Sequence, residues 1–272
     1  MVKVVVTGAG GFIGRALVPE LAKNYRVAAL VRKECDFGGG IEILKGDLTD
    51  FEFIRQATAG VAAIIHLGAA TAGKEPSLIL DSNVRGTYVL MEAAVQNKVP
   101  KVIFASSIAV YGCLTEESFI PAYLPVDENH PCLPRDVYGE SKLLAEEILK
   151  FYTRKTGITT ISLRLSAVVD TNIFPGDAHR HVLWSIIDVR DVVRVIELAL
   201  ESPIRGSEIF NVTADRICSS DNTPKLIKEN YPGVRLIPDE SYFQTNPRAS
   251  ILSNDKARRI LGFNPRYKRN DE

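Results

Sequence analysis

The sequence predicts an α/β chain in which a parallel sheet is covered by helices on both faces. Three observations lead there. Short apolar runs alternate with helix-length amphipathic segments, as in βαβ units. The runs are apolar throughout rather than at every second position, the pattern of strands buried on both sides. The first run also feeds a glycine-rich turn, Gly8 to Gly14, that opens a helix.

Strands are expected at 3–7, 26–32, 41–45, 62–67, 101–106 and 160–165, and helices at 12–23, 50–57, 79–97 and 138–156. In the last helix Leu143, Leu144, Ile148, Phe151 and Tyr152 form a broad apolar stripe; Leu80, Val84, Tyr88 and Met91 form another. The two stripes suggest a homodimer in which these helices meet their copies. After Leu165 prolines and glycines interrupt the alternation. We therefore expect a nucleotide-binding domain at 1–167 and a small C-terminal substrate lobe at 168–272, with the option that the chain crosses back to the core. Within the lobe, helices are expected at 189–201, 223–230 and 255–261, and strands at 208–212 and 234–238.

A chain of 272 residues, 46% hydrophobic, can bury a sizeable core. Its 33 basic and 33 acidic residues cancel, so no net field points to nucleic acid or a membrane surface. No apolar stretch has the length of a membrane span, and the N-terminus runs straight into a strand instead of a secretory signal. The four cysteines, Cys35, Cys113, Cys132 and Cys218, are scattered without metal-ligand spacing. Reduced thiols, a cytoplasmic location and no metal site are the expectation.

Gly8, Gly11 and Gly14 divide the mechanical work of a dinucleotide turn. The first permits the tight turn, the second lets the backbone approach a pyrophosphate, and the third lets helix pack on strand. Phe12 and Ile13 begin the helix whose free N–H groups favour the negative diphosphate. This is a Rossmann arrangement. The second strand ends Val31-Arg32-Lys33, with no acid to hold a ribose 2′-hydroxyl. A guanidinium there suits a 2′-phosphate, so Arg32 favours NADP while leaving NAD open.

Tyr138 and Lys142 stand four residues apart, hence on one helix face. A neighbouring ammonium favours the phenolate and would draw the tyrosine toward the working range of a general base. Lys142 can also hold the cofactor ribose. Ser106 and Ser107 close the fifth strand, where a hydroxyl can bind the substrate oxygen. Ser107, Tyr138 and Lys142 are the candidate catalytic trio.

The motifs Thr7–Gly14, Gly46–Asp50 (GDLTD), Ile64–Ala70 (IIHLGAA), Asn83, Ser106–Gly112 (SSIAVYG) and Tyr138–Lys142 (YGESK) together resemble the extended short-chain dehydrogenases/reductases of the NAD-dependent epimerase/dehydratase group. The resemblance implies that Asp47 and Leu48 flank the adenine, and that Leu67, Gly68, Ala69 and Ala70 line the dinucleotide and substrate. It also implies that Asn83 steadies the cofactor side, and that Ser106 and Leu165 are cofactor or substrate neighbours.

Departures from the group are informative. Nucleotide-sugar epimerases follow the sixth strand with an Asn and a long segment gripping the nucleoside diphosphate. Here Ala167 takes that position, and about two dozen residues separate Arg164 from Asp188. The shortened layout resembles the uronate dehydrogenase branch. It points to Arg180 as a partner for a substrate carboxylate and to Trp184 as an apolar floor for a sugar ring. Segment 114–135 is a candidate lid. Ile108 and Ala109 replace the Asp-Glu pair of dehydratases, which disfavours dehydration. The expected activity is NAD(P)-dependent hydride transfer at a carbinol carbon of a sugar or sugar acid. An epimerase with tightly bound NAD and a non-catalytic dinucleotide sensor are the alternatives.

Overall fold

The computed structural model describes residues 1–114, 119–174, 177–178 and 182–267. Its strands are β1 (Lys3–Thr7), β2 (Arg26–Val31), β3 (Glu42–Lys45), β4 (Ala63–His66), β5 (Lys101–Ser107), β6 (Thr159–Leu165), β7 (Ala167–Val169), β8 (Ile186–Asp188) and β9 (Ser207–Val212). Its α-helices are α1 (Phe12–Leu21), α2 (Phe51–Ala57), α3 (Pro76–Leu80), α4 (Gly86–Gln96), α5 (Val137–Thr156), α6 (Val189–Glu201), α7 (Thr223–Asn230), α8 (Glu240–Thr245) and α9 (Asp255–Leu261). Seven strands form one parallel sheet in the order β3-β2-β1-β4-β5-β6-β9. Strand order reverses between β1 and β4, which opens a crevice at the carboxyl ends of these two strands.

Both faces are dry because adjacent residues of a strand point to opposite sides. Val4, Val6, Ile103 and Ile161 pack under Leu17 and Leu21 of α1 and Val192 and Ile196 of α6. Val5, Ile64, Val102 and Phe104 pack under Ile54 of α2, Leu90 of α4 and Leu149 of α5. Each such side chain stabilises the fold by roughly 1.5–3 kcal/mol relative to exposure. Residues 189–212 thus return to the main sheet: α6 covers it and β9 pairs with β6. The rest of the C-terminal part builds its own core from Leu124, Leu183, Trp184, Ile217, Tyr231 and Ile251, joined by Val110 and Tyr111.

The strand expected at 234–238 does not form. Leu236 makes a single bridge to Leu124, and Pro238 has no N–H to continue a ladder. The three-residue strands β7 and β8 and the six-residue α8 are too short to leave a periodic signal. The helix expected at 79–97 starts earlier, at Pro76, and contains a π turn over Asp81–Arg85 that seats Asn83. Among the described residues, no helix is long and apolar enough to cross a membrane.

Candidate active site

The glycine turn lies in the crevice and is as tight as the sequence requires. Gly8 has φ +67°, and a Cβ there would stand 2.6 Å from the Gly68 amide nitrogen. A Cβ on Gly14 would stand 2.4 Å from the Ala9 carbonyl oxygen. The β1 and β4 loops therefore touch backbone to backbone, as do the turn and α1. Helices α2, α5, α6 and α7 each begin with a side chain bound to an early N–H group; α1 begins at Gly11 without one. The cradle fits a diphosphate: its backbone is bare and its helix end is positive. Arg32 is exposed at the tip of β2, near enough to Asp47 to help hold that carboxyl below its ordinary range. The stronger causes there are two hydrogen bonds from Thr49. The sequence reading passed over Arg15, which donates through Nε to the Gly10 carbonyl at 3.0 Å and adds a second cation to this rim.

A chain of hydrogen bonds ties the crevice to α5. Gly68 N–H donates to Thr7 Oγ1 at 3.1 Å, and Thr7 lies 2.7 Å from His66 Nδ1. His66 Nε2 lies 3.1 Å from Thr87 Oγ1, whose own proton goes to the Asn83 carbonyl. The Thr87 donation assigns the imidazole proton to Nε2. Asn83 then binds both backbone groups of Ala70, at 2.7 and 3.0 Å, and donates to Ser141 Oγ at 2.9 Å. Asn83 thereby fixes the loop after β4 against the helix that carries Tyr138. Burial holds the His66 imidazole neutral, with its pKa pushed down to about 3.

Ser107, Tyr138 and Lys142 come together at the carboxyl edge of β5. The Ser107 hydroxyl is close enough to the Tyr138 phenol to oppose the rise in its pKa, and Lys142 Nζ is 5.8 Å from the Tyr138 ring centre. Asp136 caps α5 by accepting from Gly139 N–H at 2.9 Å, which aims the first turn at Ser107. The two neighbouring serines separate: Ser106 is buried beneath the site and donates to Glu146 at 2.6 Å, while Ser107 reaches the phenol.

One electrostatic expectation is corrected. Burial raises the Tyr138 phenol, Asp136 raises it further, and the nearby Ser107 hydroxyl opposes them. The Lys142 ammonium donates to the Ala105 carbonyl at 2.7 Å and lies over the Phe104 face, and its presence does not bring the phenol below its ordinary value. Burial also brings Lys142 itself down to about 7, so it is only partly charged near neutrality.

The remaining candidates divide. Leu48 and Leu165 are buried, the first against Gly68 and the second within the core on the α1 side. Leu67 is half-buried and Phe12 exposed at the crevice. Trp184 is 7% exposed and packs edge-on against Tyr231, so its ring belongs to the core of the lobe. Arg180 lies outside the described residues. The described part of the candidate lid is docked: Phe119 packs on Tyr231, and Val126 bridges to Leu252. Cys113 is buried, with its thiol pushed up to about 12.

A glycine crevice at a strand-order reversal beside a neighbouring tyrosine and serine defines a nicotinamide-dinucleotide enzyme of the short-chain dehydrogenase/reductase class. The model of the NAD dependent epimerase/dehydratase family matches residues 4–187, and the chain belongs to that family. It is 29% identical over 225 residues to a uronate dehydrogenase of Pseudomonas syringae pv. tomato, covering 81% of this chain and 78% of the relative. It is 31% identical over 315 aligned positions to a UDP-glucose 4-epimerase of Streptococcus mutans, covering 97% and 92%. Among solved structures, an NAD-bound short-chain dehydrogenase/reductase superfamily protein from Agrobacterium tumefaciens superposes with TM-score 0.75 at 26% identity, over 98% of this chain and 94% of that one.

Proposed function

We propose that the protein is an NAD(P)-dependent dehydrogenase that oxidises a carbinol carbon of a free sugar or sugar acid. The observation that carries this choice is the short run from Leu165 to Ile186, in which β7 is the one strand among the described residues. That span leaves little chain to wall in a nucleoside diphosphate. The uronate dehydrogenase relatives support the same reading.

Gly8, Gly11, Gly14 and the loop from Leu67 to Ala70 would hold the dinucleotide, and Lys142 its ribose. The nicotinamide supplies the hydride acceptor when bound. Ser107 binds the substrate oxygen, and Tyr138 takes the hydroxyl proton at its phenol oxygen. Since burial raises that phenol, oxidation quickens as alkaline pH removes its proton. Arg32, with Arg15 nearby, supports NADP over NAD through a 2′-phosphate. Exposed Leu80 and Tyr88 on the continuous helical run from Pro76 to Gln96, and Leu144 and Phe151 of α5, support a homodimer, which sedimentation analysis tests.

The deciding experiment offers uronic acids, free aldoses and UDP-sugars with NAD or NADP, reading reduced cofactor and sugar product together. Stoichiometric reduction with a uronic acid or aldose is expected. A sugar converted without net reduction makes the protein an epimerase, the reading favoured by the UDP-glucose 4-epimerase relatives.

A further inference from the structure

Asn83 is a junction between the crevice and α5. The Ala70 N–H can only donate, so the amide atom facing it is Oδ1 and the orientation of the Asn83 amide follows. One Nδ2 proton then goes to the Ala70 carbonyl and the other to Ser141 Oγ. Ser141 passes the link on, donating its own proton to the Tyr138 carbonyl at 2.7 Å. A hydroxyl has a single proton, so accepting from Asn83 and donating to Tyr138 sets the direction of both bonds. Asn83 and Ser141 are 2% and 0% exposed, which leaves no room for water to replace either bond. Two routes from the crevice converge on Asn83. Ala70 holds its side chain directly, and the Gly68–Thr7–His66–Thr87 chain ends on its carbonyl. A helical serine often bonds back to the carbonyl three residues earlier, but that habit needs no Asn83. The approach of Asn83 comes from the π turn at Asp81–Arg85, a costly irregularity that such turns usually repay at a working site.

We propose that Ser141 is a positioning residue: through Asn83 it ties the start of α5 to the dinucleotide loop, so that a bound cofactor fixes where Tyr138 stands. Ser141 is wholly buried and acts only through Asn83 and Tyr138. Its role in turnover rests on the dehydrogenase reading above, whereas the tie itself rests on the hydrogen bonds alone.

The test follows amide hydrogen exchange by mass spectrometry, with and without NAD or NADP, alongside turnover of uronic acids and aldoses by wild type and Ser141→Ala. In the wild type the dinucleotide is expected to slow exchange both in the loop after β4 and in the first turns of α5. In Ser141→Ala the loop keeps that protection, while the first turns of α5 exchange about 10-fold faster than in the loaded wild type. Turnover falls ~10-fold in kcat with KM for cofactor and sugar little changed, because a displacement of about 1 Å at Tyr138 suffices for such a loss. Ser141→Cys, nearly the same size, replaces the alanine variant if the latter melts too low to assay. Undiminished protection of α5 in the variant overturns the proposal, as does lowered stability with kcat unaltered, the mark of a merely structural hydroxyl. The expected exchange pattern in a wild type that oxidises none of the sugars upholds Ser141 and overturns the dehydrogenase reading. Wild-type protein that binds neither dinucleotide overturns both.

Discussion

Glu146 grips the guanidinium of Arg164 through both carboxylate oxygens, at 3.0 Å from Nε and 2.8 Å from a terminal nitrogen, with both side chains buried. Ser106 adds a third bond to the carboxylate, and Tyr111 accepts from Arg164 at 2.9 Å. Glu146 is also one helical turn after Lys142 and is the charge that holds the lysine up against its desolvation. The pair thus underlies the proposed catalytic trio from below, between α5 and β6.

Breaking that pair strands a buried cation. Glu146→Leu should cost about 3–5 kcal/mol in urea unfolding, and pairing it with Arg164→Met should recover a large part of the loss. Equal destabilisation in single and double variants would show that the ion pair is not the source.

Lys142 is held at about 7 when folded against an ordinary 10.5. Between these values the unfolded chain binds a proton that the folded chain does not. Stability therefore rises with pH across that window and is depressed below it. Lys142→Met should raise unfolding stability at pH 7 by about 1 kcal/mol and flatten the pH slope, while turnover falls. A variant less stable than wild type at pH 7 would contradict this.

His66 behaves oppositely to a surface histidine. Its folded pKa is about 3 against 6.5, so the unfolded state takes up a proton first as the solution is acidified. Stability is lost as pH falls from about 6.5 toward 3. Thermal melts of His66→Gln should show a shallower acid slope over that range than wild type.

Tyr138→Phe should reduce turnover roughly 10²- to 10⁴-fold with dinucleotide affinity unchanged. A merely sensing protein would be indifferent to the change in every assay.

Arg32→Glu should reverse cofactor choice, lowering kcat/KM with NADP by about 10-fold or more relative to NAD. An unaltered ratio would place the selectivity elsewhere on the rim, with Arg15 the next residue to change.

The sheet was legible because strands buried on both faces leave uninterrupted apolar runs, as at β1, β5 and β6. Three lobe helices, α6, α7 and α9, matched their expected ends. The bridge at Leu236 was not legible, since only its partner Leu124, far away in sequence, decides whether an apolar run joins a ladder. The encounter of Ser107 with Tyr138 could be anticipated from two motifs. The charge state at that encounter could not.

The sequence by itself picked out the candidate residues: the glycine turn, the proposed trio, the missing acid after β2. These are local patterns, and spacing along one strand or helix suffices to express them. The tertiary structure alone decided what each group experiences. It turned Ser106 away from Ser107, aimed Lys142 at the Ala105 carbonyl, buried Trp184 and left an oxygen of Asp136 without a donor. Desolvation and hydrogen-bond geometry depend on neighbours distant in sequence, and no spacing along the chain encodes them.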